Sequence, residues 1–156
     1  MITKSLKILL LNLFIFLLII LFVEIITGRY VLKKKLDCNY ILCNANLKYK
    51  TNLYTLEPIK INYTKDKYGF RGRRKEISKV DILVVGGSTT DQRYLNIKET
   101  WDQLLEKRFV DEGFDIDIVN AGIDGQSTYG HLWNFENWFF KIKKLKPKYT
   151  VFLIGL

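Results

Sequence analysis

The chain has 156 residues, 48% of them hydrophobic, and a formal net charge of +9. Residues 1–80 hold sixteen Lys and Arg against five Asp and Glu, whereas residues 81–156 hold nine against eleven. This length allows one domain with an appendage, and the second half offers no basic face for a nucleic acid. The composition therefore argues against nucleic-acid binding and favours contact of the basic first half with anionic membrane lipid.

The first predicted element is an apolar segment at residues 8–26, interrupted only by Asn12 and Glu24. As a helix, a segment of this length crosses a hydrocarbon core of about 30 Å. We interpret residues 1–28 as a transmembrane anchor. A cleaved signal peptide is the alternative, which we disfavour because the apolar run is long and no small-x-small cleavage site follows it. The flanking charges slightly favour a cytoplasmic C-terminal side.

Residues 29–80 are polar, rich in Lys, Asn and Tyr, and show no clear periodicity, which predicts a basic juxtamembrane arm. Cys38 and Cys43 would form a local disulfide on an exported side or remain reduced in the cytoplasm, and with no His nearby they do not indicate a zinc site. The segment Tyr68-Gly69-Phe70-Arg71-Gly72 predicts a turn that docks Phe70 on the domain while Arg71 faces an acid or solvent. The basic run at 71–75 is interpreted as a solvated loop.

Residues 81–156 alternate between apolar runs and helical periodicity. Strands are predicted at 81–85, 116–119 and 149–154, and a capping box of Thr100 and Gln103 is predicted to begin the first helix. The apolar spacing predicts the buried helix faces to be Trp101, Leu104, Leu105 and Phe109 in the first helix and Leu132, Phe135, Phe139 and Ile142 in the second. Repeated strand, loop and helix predict an α/β domain with a parallel sheet and ligands at the carboxyl ends of its strands.

A glycine-rich loop, Gly86-Gly87-Ser88-Thr89-Thr90, follows the first of these strands directly. It places a hydroxyl at the point where a buried strand turns into a loop, and its glycines allow a sharp turn. The lipase pattern Gly-x-Ser-x-Gly is not met because Thr90 occupies the last position, and the P-loop pattern is not met either. The loop residues alone leave both a nucleophilic serine and an anion-binding site open.

A second glycine loop, Asn120-Ala121-Gly122-Ile123-Asp124-Gly125, follows the second strand. Together the two loops resemble the first two conserved blocks of the SGNH (GDSL-type) hydrolases, in particular their membrane-anchored bacterial members, and the resemblance extends over half of the chain. It implies a flavodoxin-like parallel sheet with flanking helices in residues 81–156, with Ser88 as the nucleophile and Gly125 donating its backbone N–H to the oxyanion hole. It implies no metal and no organic cofactor. Asp91 stands where the family often has glycine.

The segment at 152–155 resembles the strand that leads into the family's third block. The chain is therefore expected to correspond to the N-terminal portion of such a domain, truncated after the third strand. It lacks the Asn that completes the oxyanion hole and the Asp-x-x-His segment that supplies the general base. His131 is the single histidine, and we expect it on the surface of the second helix rather than at the site.

The leading hypothesis from the sequence is a membrane-tethered serine hydrolase that cleaves or transfers acyl groups on small-molecule, glycan or lipid substrates. The resemblance suggests a single-pass protein with an extracytoplasmic catalytic domain, against the charge count around the anchor. One alternative is a catalytically inactive, membrane-tethered binding or structural protein. Another is an anion-binding flavodoxin-like module that holds phosphate with Ser88, Thr89 and Thr90. The sequence indicates no particular oligomeric state.

Overall fold

The computed structural model describes residues 4–28, 36–72 and 76–154, and the chain divides into two units, Met1–Leu36 and Asp37–Leu156. In the first unit, helix α1 runs from Lys4 to Thr27. Its side chains are exposed along most of its length, and it is long and apolar enough to cross a membrane. A signal sequence near an N-terminus meets the same criterion.

The second unit begins with a β-hairpin. A disulfide joins Cys38 and Cys43, and strands β1 (Asn46–Thr51) and β2 (Ile59–Thr64) follow as an antiparallel pair. Alternate residues of a strand point to opposite faces, and Ile61 and Tyr63 of β2 are buried. Residues 37–72, which the sequence analysis assigned to a juxtamembrane arm, therefore lie in the same unit as the sheet because their apolar side chains pack into its core.

The core of the second unit is a three-stranded parallel sheet. Its strands are β3 (Ile82–Gly86), β4 (Ile118–Asn120) and β5 (Tyr149–Leu153), in the order β4-β3-β5. The three predicted strands are confirmed with shifts of one or two residues. Since the first parallel strand lies between the second and third, the order matches the start of a flavodoxin-like sheet, and the strand order reverses beside the carboxyl end of β3.

The helices of the second unit are α2 (Ser88–Asp91), α3 (Trp101–Asp111) and α4 (Thr128–Asn137), with 3-10 turns at Ile77–Lys79, Ile97–Glu99 and Phe139–Lys141. The predicted capping box at Thr100 and Gln103 is wrong. Thr100 is the N-cap residue of α3, but its hydroxyl donates to the carbonyl oxygen of Ile97 at 2.7 Å. The capping box is formed one turn earlier by Asn96 and Glu99, because the chain already turns there.

The buried face of α4 also differs from the prediction. Phe139 and Ile142 of the predicted face are buried, but they lie beyond the end of α4. Within the helix the inner face consists of His131, Asn134 and the C-cap residue Trp138, whereas Leu132 is 60% exposed. The physical reason is that α4 ends at Asn137, so the predicted stripe continues beyond the helix. Trp138 stacks on Phe70 with ring centroids 5.1 Å apart, and this contact sets the rotation of the helix.

Candidate functional site

Ser88 lies at the carboxyl end of the central strand. It is the first residue of α2, it follows Gly87 at the N-cap position, and its side chain is exposed. Gly86 is required before it because a Cβ atom there would lie 2.7 Å from the carbonyl oxygen of Leu153 on β5. The sharp strand-to-helix turn thus presents the Ser88 hydroxyl at the point where the strand order reverses, which is where open α/β sheets bind ligands.

The structure brings Ser88 and Gly125 to one cavity, here called the first cavity. It has a volume of about 420 Å³, and residues from the ends of β3, β4 and β5 line it, including Gly87, Thr89 and Ile154. Gly125 adopts a left-handed φ of +72°, and no atom lies within 4 Å of where its Cβ would be. A glycine tolerates this conformation without steric cost. The two residues singled out by the sequence therefore face the same space.

His131 lines the first cavity as well, so its expected place on the helix surface is wrong. It is 4% exposed, and its Nδ1 atom has no hydrogen-bond partner among the described residues. Burial lowers the pKa of His131 below its usual value of 6.5, which keeps the imidazole neutral at neutral pH. Within the described ranges, no hydrogen bond joins His131 to Ser88. The sequence missed this placement because the contact between Trp138 and Phe70 decides it.

A buried polar cluster, formed by Tyr63, Lys65, Arg71 and Asp91, lies directly behind the Ser88 loop. The carboxylate of Asp91 accepts a hydrogen bond from the Tyr63 hydroxyl at 2.8 Å and pairs with the ammonium of Lys65 at 3.2 Å. Lys65 also donates to the carbonyl oxygen of Gly122 at 2.7 Å. The side chain of Lys65, which precedes the sheet in the chain, therefore contacts both glycine loops.

Of the two predicted alternatives for Arg71, an acid or solvent, the structure shows the acid, because Arg71 lies beside Asp91. Phe70 is fully buried, as expected, and Arg71 is only 5% exposed. Its Nε donates to the carbonyl oxygen of Asp91 at 3.2 Å, its Nη2 donates to that of Leu95 at 2.7 Å, and its guanidinium stacks over the Tyr63 ring at 4.2 Å. The fixed donors of an arginine suit several carbonyl groups at once. The predicted solvated loop is therefore wrong at Arg71, and residues 73–75 lie outside the described residues.

Asn120 joins the two loops from within the sheet. Its Nδ2 donates to the carbonyl oxygen of Thr90 at 2.6 Å and to the carboxylate of Asp102 at 2.7 Å. Its Oδ1 accepts from the backbone N–H of Gly122 at 2.8 Å. A Cβ on Gly122 would overlap the backbone nitrogen of Asp91. The loops carrying Ser88 and Gly125 are thus held together by direct backbone contact and by the Asn120 amide, which donates to one loop and accepts from the other.

The electrostatics of the buried polar cluster follow from its burial. Burial lowers the pKa of Lys65, and the neighbouring carboxylate of Asp91 opposes that shift. Burial and, after it, the charge of Asp91 raise the pKa of Tyr63, which keeps its hydroxyl protonated and able to donate. The cluster is therefore a structural support. Among the described residues, no group of three or more His, Cys, Asp or Glu side chains is placed to hold a metal ion.

Sequence reasoning missed Tyr63, Lys65 and Asp91 as contributors to the site. One signal was present, because Asp91 replaces a glycine that the resemblance led us to expect. A carboxylate beside the first loop requires a cation once it is buried, and Lys65 supplies it. The sequence did not show which of sixteen basic residues in the first half would do so.

Comparisons with known proteins give a partial match. No family model matches the chain. Esterase TesA of Pseudomonas aeruginosa is 43% identical over 51 residues, which are 33% of this chain and 25% of the relative. A crystal structure of TesA aligns with a TM-score of 0.42 and 35% identity, covering 48% of this chain and 40% of that one. The chain thus spans about a quarter of the curated relative that it matches.

Proposed function

We propose that this chain carries the nucleophile half of a membrane-tethered serine hydrolase of the SGNH (GDSL) type, with a flavodoxin-like sheet. One observation carries the proposal: Ser88 and Gly125, from two separate loops, line one cavity at the carboxyl end of the central strand. The partial similarity to an esterase supports the same reaction class. The substrate would be an acylated small molecule, glycan or lipid.

The chemistry assigned to these residues is acyl transfer. The Oγ atom of Ser88 bonds to the acyl carbon of an ester, and the N–H of Gly125 donates to the resulting oxyanion. The ester C–O bond then breaks, and the alcohol leaves with a proton. Water or a second alcohol attacks the acyl-serine and restores the Ser88 hydroxyl. The base that accepts the Ser88 proton would come, by the resemblance, from an Asp-x-x-His segment that these residues do not include.

We place the second unit on the extracytoplasmic side of the membrane. The support is the disulfide between Cys38 and Cys43, because disulfides persist in oxidising compartments and are rare in the cytosol. A membrane-impermeant maleimide on intact cells tests this placement. We expect labelling of these cysteines only after treatment with an impermeant reductant. Labelling that requires cell lysis would contradict it.

A fluorophosphonate probe tests the hydrolase proposal, because it reacts covalently with activated serines. The protein is taken from its native membranes and compared with Ser88→Ala and, as a matched control, with the exposed Ser78→Ala. We expect labelling of the wild type and of the control, and none of Ser88→Ala. An unlabelled wild type, or labelling that survives in Ser88→Ala, would rule out Ser88 as an activated nucleophile.

One observation supports the alternative of an inactive, membrane-tethered binding protein. In the part of the chain that the structure describes, no side-chain base hydrogen-bonds to Ser88, and the single histidine makes no contact of that kind. A serine hydroxyl without a base is a weak nucleophile. This alternative predicts binding in the first cavity with no reaction at Ser88, so the same labelling experiment separates it from the hydrolase.

A further inference from the structure

We infer that the β1–β2 hairpin docks on the surface of a bilayer that contains anionic phospholipid. Two parts of the hairpin carry this inference. One is the lysine face, formed by Lys48, Lys50 and Lys60, and the other is the hairpin tip, residues 52–58 between the two strands. The inference goes beyond the proposed reaction, and it rests on the proposed function only for the membrane tether.

The lysine face carries positive charge that the fold does not neutralise. Lys48, Lys50 and Lys60 are exposed, and in the part of the chain that the structure describes none of them forms an ion pair. The register of the hairpin places Lys50 directly opposite Lys60. Like charges in directly opposed positions destabilise a sheet. An anionic partner would remove this repulsion.

The three lysines also surround one concave space. A pocket of about 290 Å³ is lined by Lys48, Tyr49, Lys50, Lys60, Ile61 and Asn62. A lysine ammonium binds phosphate as a point charge, so it tolerates the varied orientations of lipid headgroups. Protein interfaces, by contrast, are depleted in lysine. The composition of this face therefore favours a lipid surface over an acidic protein.

The hairpin tip exposes large apolar side chains. Leu56 is 100% exposed, Tyr54 is 64% exposed and Leu53 is 58% exposed. Glu57 is the single acid of residues 46–64, which contain three lysines. Clustered apolar side chains on a surface mark an interaction site, and tyrosine is enriched where one end of its side chain meets lipid and the other meets water.

The order of these side chains along the hairpin matches the profile of a membrane surface. Lys50 and Lys60 lie one residue inside the strand ends that adjoin the tip, and Leu56 lies beyond them. A hairpin docked tip first would place Leu56 at the boundary of the acyl chains and the two ammonium groups among the phosphates. A soluble anion would satisfy the lysines alone and leave the tip in water.

The covalent chain limits how far the hairpin can move from the proposed anchor. Ten residues, 28–37, connect Thr27 at the end of α1 with Cys38. A chain of this length spans at most about 40 Å. With α1 in the membrane, the second unit therefore stays close to lipid, and this high effective concentration allows individually weak contacts to dock the hairpin.

Docking of the tip has a consequence for Ser88. A second cavity, of about 310 Å³, has Leu53 and Tyr54 of the tip and Ser88 among its lining residues. The hairpin is also joined to the segment after Ser88, because the hydroxyl of Tyr49 donates to the carbonyl oxygen of Arg93. A docked hairpin therefore holds the Ser88 loop at the lipid surface.

A fluorescent label at the tip tests docking without any turnover. Asn52→Cys gives a single attachment point for an NBD group, because Cys38 and Cys43 are joined in a disulfide. The full chain is reconstituted into vesicles of phosphatidylcholine, with or without phosphatidylglycerol, that contain nitroxide-labelled lipid as a quencher. Asp115→Cys is the control label, since it precedes β4 and lies at the opposite edge of the sheet from Ser88. We expect blue-shifted, quenched emission from the tip label with phosphatidylglycerol and neither effect from the control.

Variants of the hairpin assign the docking to its two parts. In the tip-labelled protein, we expect the ratio of docked to undocked protein to fall about thirtyfold in Lys50→Gln/Lys60→Gln and about tenfold in Leu56→Ser. The double variant removes the opposed charges, so it should not destabilise the hairpin. Lys143→Gln/Lys144→Gln, two exposed lysines after α4, is the matched control and should stay within about twofold of the wild type.

Three results would overturn the inference. They are a tip label that is unquenched in both kinds of vesicle, quenching that does not depend on phosphatidylglycerol, and an effect of the hairpin variants no larger than that of the control. A blue shift without quenching by lipid would show that protein, rather than the bilayer, covers the tip.

The proposed function is checked by separate measurements. Retention of the protein in the vesicles after an alkaline wash tests the tether, and fluorophosphonate labelling tests Ser88. Neither measurement depends on quenching of the tip label, so failure of the docking inference and failure of the proposed function are distinguishable.

Discussion

Two regions border the loops that carry Ser88 and Gly125, and they differ in whether their buried polar groups have hydrogen-bond partners. In the buried polar cluster, Asp91 is paired with Tyr63 and Lys65. On the inner face of α4, His131 Nδ1 and Asn134 Nδ2 have no hydrogen-bond partner among the described residues. Because an unpaired buried polar group is costly, the paired region stabilises the loops, whereas the inner face of α4 carries a cost that no described residue offsets.

Breaking the paired region should have the largest effect on stability. Lys65→Met removes the cation from Asp91 while keeping much of the apolar stem, so a buried carboxylate loses its charge partner. We expect the free energy of unfolding to fall by about 3–5 kcal/mol. Urea denaturation of the full chain in detergent micelles, followed by tryptophan fluorescence, measures it. The exposed Lys48→Met is the control, and equal losses in the two variants would show that the pair does not stabilise the fold.

A second change places a like charge in the link between the loops. In Asn120→Asp a carboxylate replaces the amide that now lies 2.7 Å from the carboxylate of Asp102. We expect a loss of about 1–3 kcal/mol at neutral pH. Two adjacent carboxylates raise each other's pKa, so the loss should diminish as the pH falls and one of them is protonated. Asn62→Asp, on an exposed position of β2, is the control and should show no such pH dependence.

A third change tests the contact between the two glycine loops by adding a single methyl group to one of them. Gly122→Ala adds a methyl group where the backbone nitrogen of Asp91 already lies, so one loop must shift. We expect a loss of about 1–3 kcal/mol together with weaker fluorophosphonate labelling of Ser88. Gly87→Ala is the matched control for stability, because the nearest atom to its Cβ would be 3.8 Å away. An unchanged Gly122→Ala protein would show that the two loops are not in fixed contact.

The sequence predicted the parallel strands well and the supporting contacts poorly, for a physical reason. Strand β3 is a continuous apolar run followed by glycines, and this pattern depends only on local residues. The position of Ser88 directly after β3 follows from it, and the same kind of local pattern places Gly125 in the loop after β4. The pairing of Lys65 with Asp91 joins residues from different elements, and neither periodicity nor spacing encodes which cation meets which acid.

The inner face of α4 is a second feature that local sequence did not predict. Helical spacing correctly predicted a helix and the burial of Phe139 and Ile142 after it, but it placed Leu132 on the buried face. Within the helix the buried residues are His131 and Asn134. The segment contains apolar residues on several faces, so its rotation is decided by tertiary packing of Trp138 against Phe70. Amphipathic spacing assigns apolar residues to the buried face of a helix, so it does not predict a buried face that consists of polar residues such as His131 and Asn134.

The pH dependence of stability provides the subtlest test of the unpaired region. Burial lowers the pKa of folded His131 below 6.5, so below that pH the unfolded chain binds more protons than the folded chain, and stability is lost as the pH falls. His131 is the single histidine, and ordinary carboxylates titrate about two units lower. We therefore expect the free energy of unfolding to decrease more steeply between about pH 7.5 and 5.5 in the wild type than in His131→Gln, which keeps every other titrating group. An exposed histidine would titrate alike in both states, so equal slopes in the wild type and His131→Gln would contradict the burial of His131 and with it the contrast between the two regions.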